Sequence, residues 1–316
     1  MTLEEASVSC WVKGREMAGH RYGGPWSEIK VAAVEYYLQC YTAALTPKAM
    51  ELWYFDAFAG SGDREEERQT GGLLDGKPYE TIVETTDGSA RKALKVDPPF
   101  KHYVFMETDD VRLKALIELK ATYPSTDIRV HPGDANEELA KVVSQQPWIR
   151  KAKSFHRGVV FLDPFSLQVE WKTLQALAAT EALDVWYLFP IRDVTRQLAH
   201  KISGIGPKAK RLDLVLGPEW RELYSLPPTP TTTQLDIFGS APPDELARVA
   251  QWRDIEAWFK RRLESEFAYV SDPVPILKSK GRQTFSLFLG VGNRKEAATR
   301  LAKHFASHVR KNFAVE

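Results

Sequence analysis

The strongest constraint on this chain is the alternation of short apolar segments with amphipathic ones between residues 103 and 189. Segments 103–107, 128–131, 158–162 and 183–189 are short and largely apolar, while 109–123, 137–145 and 171–180 repeat their apolar residues at helical spacing. Strands buried on both faces read as near-continuous apolar runs, and helical crossovers make neighbouring strands parallel. The rhythm begins earlier. With Ser27 as N-cap, a run through Ile29, Val31, Ala32, Val34, Tyr36, Tyr37, Leu38, Tyr41 and Leu45 traces one broad apolar helical face, exits at Pro47 and leads into an apolar strand over 52–57. The expectation is an α/β protein with a doubly wound, mostly parallel sheet.

The remaining segments complete the outline. Residues 63–87 are polar and acid-rich, with Glu65-Glu66-Glu67 and Gly71-Gly72, and read as an inserted loop or small hairpin before a short helix over 89–96. After Pro190 the alternation lapses: 192–224 is helical and partly basic, 226–233 is a Pro/Thr loop, and 243–267 is a long amphipathic helix with Trp252 and Trp258 facing the core. Segments 275–277 and 284–291 form a closing strand pair around the Lys280-Gly281 turn, followed by a helix over 295–308. The expected organisation is an N-terminal helical segment (1–50), a cofactor-binding core (51–191), a helical insertion (192–272), and the closing strands and helix of the core (273–316).

Composition excludes several classes. The formal net charge of +1 sets up no global field for nucleic acid or membrane. The two cysteines, Cys10 and Cys40, lack metal-ligand spacing and suit a reducing compartment. No opening apolar run resembles a signal peptide, and no stretch of about 18 apolar residues could span a bilayer. A cytoplasmic protein with no membrane association is expected.

The chemistry-bearing residues lie at strand ends, where an open parallel sheet binds its ligands. Asp56 follows the first strand, Glu107 the second, Asp134 the third and Asp163 the fourth. The stretch 54–62 reads Tyr-Phe-Asp-Ala-Phe-Ala-Gly-Ser-Gly, and its Gly60 and Gly62 let backbone pass close to a bound nucleoside. A carboxylate beyond the second strand suits ribose hydroxyls, and one beyond the third suits an adenine amino group. The dinucleotide fingerprint needs a third glycine opening a helix, but Gly62 is followed by Asp63-Arg64-Glu65-Glu66-Glu67, an acidic run that repels pyrophosphate. A phosphate-free nucleoside is favoured over the cofactor of a nucleotide-dependent oxidoreductase. S-adenosylmethionine, with its sulfonium cation, qualifies.

These residues resemble a known group. Asp56-Ala-Phe-Ala-Gly-Ser-Gly62, Glu107, Gly133-Asp134-Ala135 and Asp163-Pro164-Phe165 are similar to the ordered motifs of class I S-adenosylmethionine-dependent methyltransferases, whose final antiparallel hairpin the 275–291 pair resembles. The resemblance implies a seven-stranded Rossmann-like methyltransferase sheet. It also implies cofactor contacts from Asp56, Ala57, Phe58, Gly60, Ser61, Gly62, Glu107, Thr108, Asp134, Ala135 and Asp163. A narrower likeness, over most of 26–300, is to the three-Cys-motif partner family. It rests on the Lys30 helix with Tyr36-Tyr37-Leu38, the Phe-Ala-Gly-Ser-Gly turn, Gly88-Ser89-Ala90, and Phe-Leu-Asp-Pro-Phe at 161–165. That likeness implies a separate three-cysteine-motif protein as partner.

Asp163-Pro164-Phe165 resembles the catalytic motif of methyltransferases acting on exocyclic base amines. There an acidic or amide side chain and a proline carbonyl hydrogen-bond the amine, an aromatic stacks on the base, and positioning and electrostatics do the rest without a metal. Phe165 stands where the common Asp-Pro-Pro-aromatic form has its second proline, and Ser166 stands at the aromatic position. Shorter Asp-Pro-Phe versions resemble guanine-amine methyltransferases of transfer RNA. Catalytic roles are thus expected for Asp163, Pro164 and Phe165, with Phe165 as a core aromatic the alternative.

Lys30 is expected to bind substrate and, with Arg21, Tyr22, Gly23, Gly24 and Trp26, to form a lid over the cofactor, with helix packing the alternative for these residues. Lys280 and Arg282 belong to a basic stripe over 278–311 that would attract a nucleic-acid backbone or simply form a solvated face. Two functions are carried forward: a methyltransferase acting on a nucleobase amine in DNA or RNA, and a non-catalytic methyltransferase-like partner protein in a phage, mobile-element or defence module.

Overall fold

A computed structural model describes residues 26–72, 77–149, 155–226, 245–278 and 282–313. Helix α1 (Trp26–Leu45) opens the described chain and is apolar on nearly every side. A helix apolar all round must be covered all round. It lies between the sheet, a short helix α2 (Ser89–Leu94) and the terminal helix α9 (Glu296–Phe313), whose Ala302, Phe305, Ala306, Val309 and Phe313 are buried.

Strand β1 (Glu51–Asp56) lies in the interior of the main sheet. The chain then steps outward through β4 (His102–Glu107) and β5 (Asp127–Pro132). It returns to the other flank of β1 with β6 (His156–Leu162) and β7 (Leu183–Phe189), every one of these pairs being parallel. The topological switch point therefore falls between β1 and β6. The crossovers are α3 (Asp110–Ala121), α4 (Ala135–Val143) and α5 (Trp171–Ala179).

The last strand, β12 (Arg282–Val291), runs antiparallel to β7, and its other edge is covered by β10 (Tyr269–Val270) and then β11 (Val274–Lys278). The sheet thus has eight strands where seven were expected. It has seven positions across, because its edge strand is broken between Val270 and Val274, at Pro273, which has no N–H for the ladder. This mixed sheet with its closing antiparallel strands is a Rossmann-like, methyltransferase-like fold.

Alternate residues of each strand serve two cores. Tyr54, Phe105, Phe161, Trp186 and Leu188 face α1 and α9, while Trp53, Phe55, Val104, Val160, Val185 and Tyr187 face the opposite helical layer. That layer includes α6 (Ile191–Gln197), α7 (Ala209–Leu216) and α8 (Trp252–Glu266), joined through the two-residue pair β8 (Tyr224–Ser225) and β9 (Ala247–Arg248). Phe259 of α8 stacks on Phe189 at 3.8 Å between ring centroids and 5° between planes. Burying such a side chain contributes about 1.5–3 kcal/mol.

Helix α8 begins nine residues later than the expected 243. Residues 247–248 are held in the β8–β9 pair, and the Gln251 N–H donates to Asp254 Oδ2 at 2.8 Å, a cap that fixes the start at Trp252. Trp258 is buried as expected, but Trp252, on the first turn, is 36% exposed with Arg253 over its ring.

The acidic insert forms an antiparallel hairpin, β2 (Asp63–Gly72) and β3 (Lys77–Asp87). Arg91 pins its base, donating to both oxygens of Asp63 at 2.6 and 2.8 Å and lying 3.6 Å from Asp87. At the start of β7, buried Asp184 accepts a hydrogen bond from the Tyr37 hydroxyl of α1 at 2.9 Å. Burial pushes this carboxyl up to about 7, against the pull of Tyr37, the Gly292 N–H and Arg157. Cys40, buried in α1, is disulfide-bonded, which cysteine number and spacing did not foretell. Among the described residues no helix is long and apolar enough to cross a membrane.

Candidate cofactor and substrate site

The carboxyl ends of β1, β4, β5 and β6 open into a cavity of about 760 Å³, which residues of α6 also line. The predicted residues Ala57, Phe58, Gly60, Glu107, Thr108, Asp134, Ala135, Asp163, Pro164, Phe165 and Lys30 all line it.

The turn after β1 is shaped by its glycines. Gly60 lines the cavity with φ +62°, and nothing lies within 4 Å of where its Cβ would sit, so the backbone itself borders open space. Gly62 has φ +82°, and a Cβ there would stand 2.8 Å from Leu119 Cδ2. Gly62 does not line the cavity, nor does Ser61, whose Oγ donates to the Asp63 carbonyl at 2.8 Å and braces the hairpin entrance.

Asp56 lies beneath this turn rather than at the cavity wall. It is fully buried, accepting from the Phe58 N–H at 3.3 Å and from the Tyr54 hydroxyl at 3.4 Å. Burial pushes its carboxyl up to about 7, with hydrogen bonds from Ser89, Phe58 and Tyr54 opposing the rise and the charge of Asp163 adding to it. Its observed contacts hold the turn together.

Glu107 and Asp134 present carboxylates to the cavity in a defined orientation. Glu107 Oε1 accepts from the backbone N–H groups of Thr108 and Asp109 at 2.8 and 3.0 Å, while Oε2 lies 3.9 Å from Arg112. Asp134 caps α4 through Oδ1, which accepts from Asn136 N at 2.9 Å and Glu137 N at 3.4 Å. In each case one oxygen is fixed by backbone and the second is left for other partners.

Sequence reasoning missed Asn136. Its Nδ2 donates to Asp134 Oδ1 and to the Gln168 carbonyl, both at 3.0 Å. Its Oδ1 accepts from the Glu170 N–H at 2.9 Å and the Thr173 hydroxyl at 2.8 Å. One buried amide therefore joins the turn after β5 to the loop after β6. The only signal was an Asn two residues into a helix, where a polar side chain is unremarkable.

On that loop, Asp163 is ion-paired with Lys30 of α1, across 133 positions of sequence. Pro164 follows, and Phe165 is 91% exposed at the cavity mouth, which removes the alternative of a core aromatic. The Phe165 N–H donates to Gln168 Oε1 at 2.8 Å, so the backbone beneath this exposed ring is braced. Ser166 Oγ donates to Asp193 Oδ2 at 2.8 Å and ties the loop to α6.

Three cavity-lining arginines, Arg112, Arg192 and Arg196, also escaped the sequence reading. Lys280 lies outside the described residues, as do the side chain of Arg282 and residues 21–24 of the expected lid. Of the basic stripe's described members, Arg294 lies 3.7 Å from Glu181, Arg300 3.8 Å from Glu296 and Arg310 2.6 Å from Asp272. None of these three borders the cavity.

No family model and no curated protein sequence matches the chain. Among solved structures it is similar to protein LPL1258 from Legionella pneumophila strain Philadelphia 1, described with the family model DUF519. That likeness has 12% identity and a TM-score of 0.44, and covers 92% of this chain and 95% of that one. It is also similar to a protein described as "putative methyltransferase yhhF from Escherichia coli", with 18% identity and a TM-score of 0.29, covering 48% of this chain and 67% of that one. The fold class stated above rests on the strand order and the closing antiparallel strands.

Proposed function

We propose that this protein is an S-adenosylmethionine-dependent methyltransferase acting on an exocyclic amine of a nucleobase in DNA or RNA. The observation that carries the reading is one cavity lined both by the Glu107 and Asp134 carboxylates and by Asp163-Pro164-Phe165. The residues present suit a phosphate-free nucleoside: bare backbone at Gly60 borders the cavity, and each carboxylate has one oxygen held by backbone amides. Glu107 would accept hydrogen bonds from ribose hydroxyls, and Asp134 from an adenine amino group. Ala57, Phe58, Thr108 and Ala135 would frame the same nucleoside.

When bound, the cofactor supplies an electrophilic methyl group on a sulfonium centre. The Asp163 carboxylate and the Pro164 carbonyl would accept the two amine N–H bonds and orient the nitrogen lone pair. Phe165 offers an exposed face for stacking, worth about 1–3 kcal/mol per base, enough to hold an extruded base in place. Calorimetry with S-adenosylmethionine, followed by tritiated methyl transfer to purified RNA and DNA, tests the reading. Wild type should bind and transfer, Glu107→Ala should lose binding, and Asp163→Ala should bind without transfer. Absence of cofactor binding by the wild type rejects the proposal.

The ion pair between Lys30 and Asp163 favours a second reading, a non-catalytic methyltransferase-like partner of a three-cysteine-motif protein, because the carboxylate needed for the amine already has a cation. The likeness to the three-Cys-motif partner family belongs to this reading. Cofactor binding with no methyl incorporated into either polymer selects it.

A further inference from the structure

Charges of both signs line the cavity. Lys30 is paired with Asp163 and Arg112 lies 3.9 Å from Glu107, while Arg192 and Arg196 reach the cavity from α6, after β7. Spaced i and i+4, the two arginines project from one side of the helix, and both are exposed. Arg192 makes no ion pair or hydrogen bond among the described residues. Arg196 lies 3.8 Å from Asp193, whose other oxygen already accepts from Ser166. Arg192 is therefore available to an anion, and Arg196, exposed and only loosely paired, can join it, with the 91% exposed ring of Phe165 lining the same cavity.

We infer that Arg192 and Arg196 form the phosphate-binding half of the site, holding the backbone of a single-stranded polynucleotide while one base passes Phe165 into the cavity. This rests on the methyltransferase reading above and adds to it the side from which the polymer enters. Of the cavity's other cations, Lys30 is paired with Asp163 and Arg112 lies against Glu107, which leaves Arg192, with Arg196 one turn further on, to meet phosphate. The arginines of the C-terminal stripe are a poorer choice, since Arg294, Arg300 and Arg310 do not border the cavity. An arginine pair with an adjacent exposed aromatic is the combination that grips unpaired strands, in which bases are free to stack on protein. A duplex would keep its bases out of reach.

The test is fluorescence anisotropy with labelled single-stranded RNA and DNA, about 20 nucleotides long and of one sequence, and the corresponding DNA duplex, between roughly 50 and 200 mM salt. Wild type should bind single strands more tightly than duplex, and comparing RNA with DNA separates the two sources of phosphodiester. Arg192→Glu/Arg196→Glu should weaken binding about tenfold or more. The salt slope should become shallower by roughly 1.4, from about 0.7 per phosphate contact on a single strand. The neutral pair Arg192→Gln/Arg196→Gln should fall between the two, and Arg300→Glu/Lys303→Glu on α9 should stay within about twofold of wild type. Unchanged affinity and slope in the α6 variants, loss in the α9 variant instead, equal binding of duplex, or no binding by wild type would each overturn the inference. Calorimetry on the same preparations keeps the two failures apart: a wild type that binds S-adenosylmethionine but shows any of these results leaves the cofactor reading standing.

Discussion

Replacing Asp184 by asparagine should change how the stability of this protein depends on pH. Asp184 is buried between α1 and β7, and its carboxyl is pushed from an ordinary 3.8 to about 7. Between these values the unfolded chain has released the proton while the folded chain still holds it, so stability falls as pH rises and levels off above about 7. At ~1.4 kcal/mol for each pH unit, a rise of this size amounts to on the order of 4 kcal/mol across the whole window. From pH 5 to pH 7, about 2 kcal/mol of this change is accessible, above the range in which the salt-bridged Glu51, Asp127, Glu138 and Asp272 take up protons. The amide in Asp184→Asn has no such proton to lose and keeps an oxygen for the Gly292 N–H. Asp56, also near 7, titrates in both proteins and cancels in the difference. Urea unfolding followed by tryptophan fluorescence at pH 5, 6, 7 and 8, at fixed ionic strength, should show Asp184→Asn gaining about 2 kcal/mol on wild type between pH 5 and 7. A difference that stays flat across that interval refutes a carboxyl held protonated by burial.

Three other outcomes are expected. Glu107→Gln keeps an acceptor for the Thr108 and Asp109 amides but loses the charge, and should weaken S-adenosylmethionine binding by roughly 10- to 100-fold in calorimetry. Gly62→Ala should cost about 1–3 kcal/mol of unfolding free energy, because a left-handed residue is strained and its Cβ meets Leu119; Gly60→Ala, with open space ahead of it, should destabilise less in the same thermal or urea melts. Asn136→Ala strands the Glu170 N–H and the Thr173 hydroxyl in a buried setting, and should lower stability by about 2–4 kcal/mol while exposing the 163–168 loop to faster hydrogen exchange.

The frame of the sheet was legible because each central strand is buried on both faces. Segments 158–162 and 183–189 could hardly be anything else, and the Gly60–Gly62 turn announced its backbone geometry. Helix α8 was placed too early because apolar spacing persists upstream of Trp252, whereas the β8–β9 pairing that occupies 247–248 is a long-range event. All four strand-end acids were read as cofactor contacts, yet the last position of β1 faces inward and that of β4 faces the cavity, a distinction set by where the turn bends and not by residue type. The Lys30–Asp163 pair and the arginines of α6 join segments far apart in the chain, so no local pattern could reveal them.

The margins of the sheet carry their own consequence. An open sheet invites a second molecule to add a strand wherever a long, smooth border is left unpaired. On one border the chain offers two short pieces separated at Pro273, with Pro275 inside the second; on the other, β5 presents Asp127, Arg129 and His131 and stops at Pro132. Copies of this protein therefore find no template for edge-to-edge growth along these described strands, even when they are crowded together.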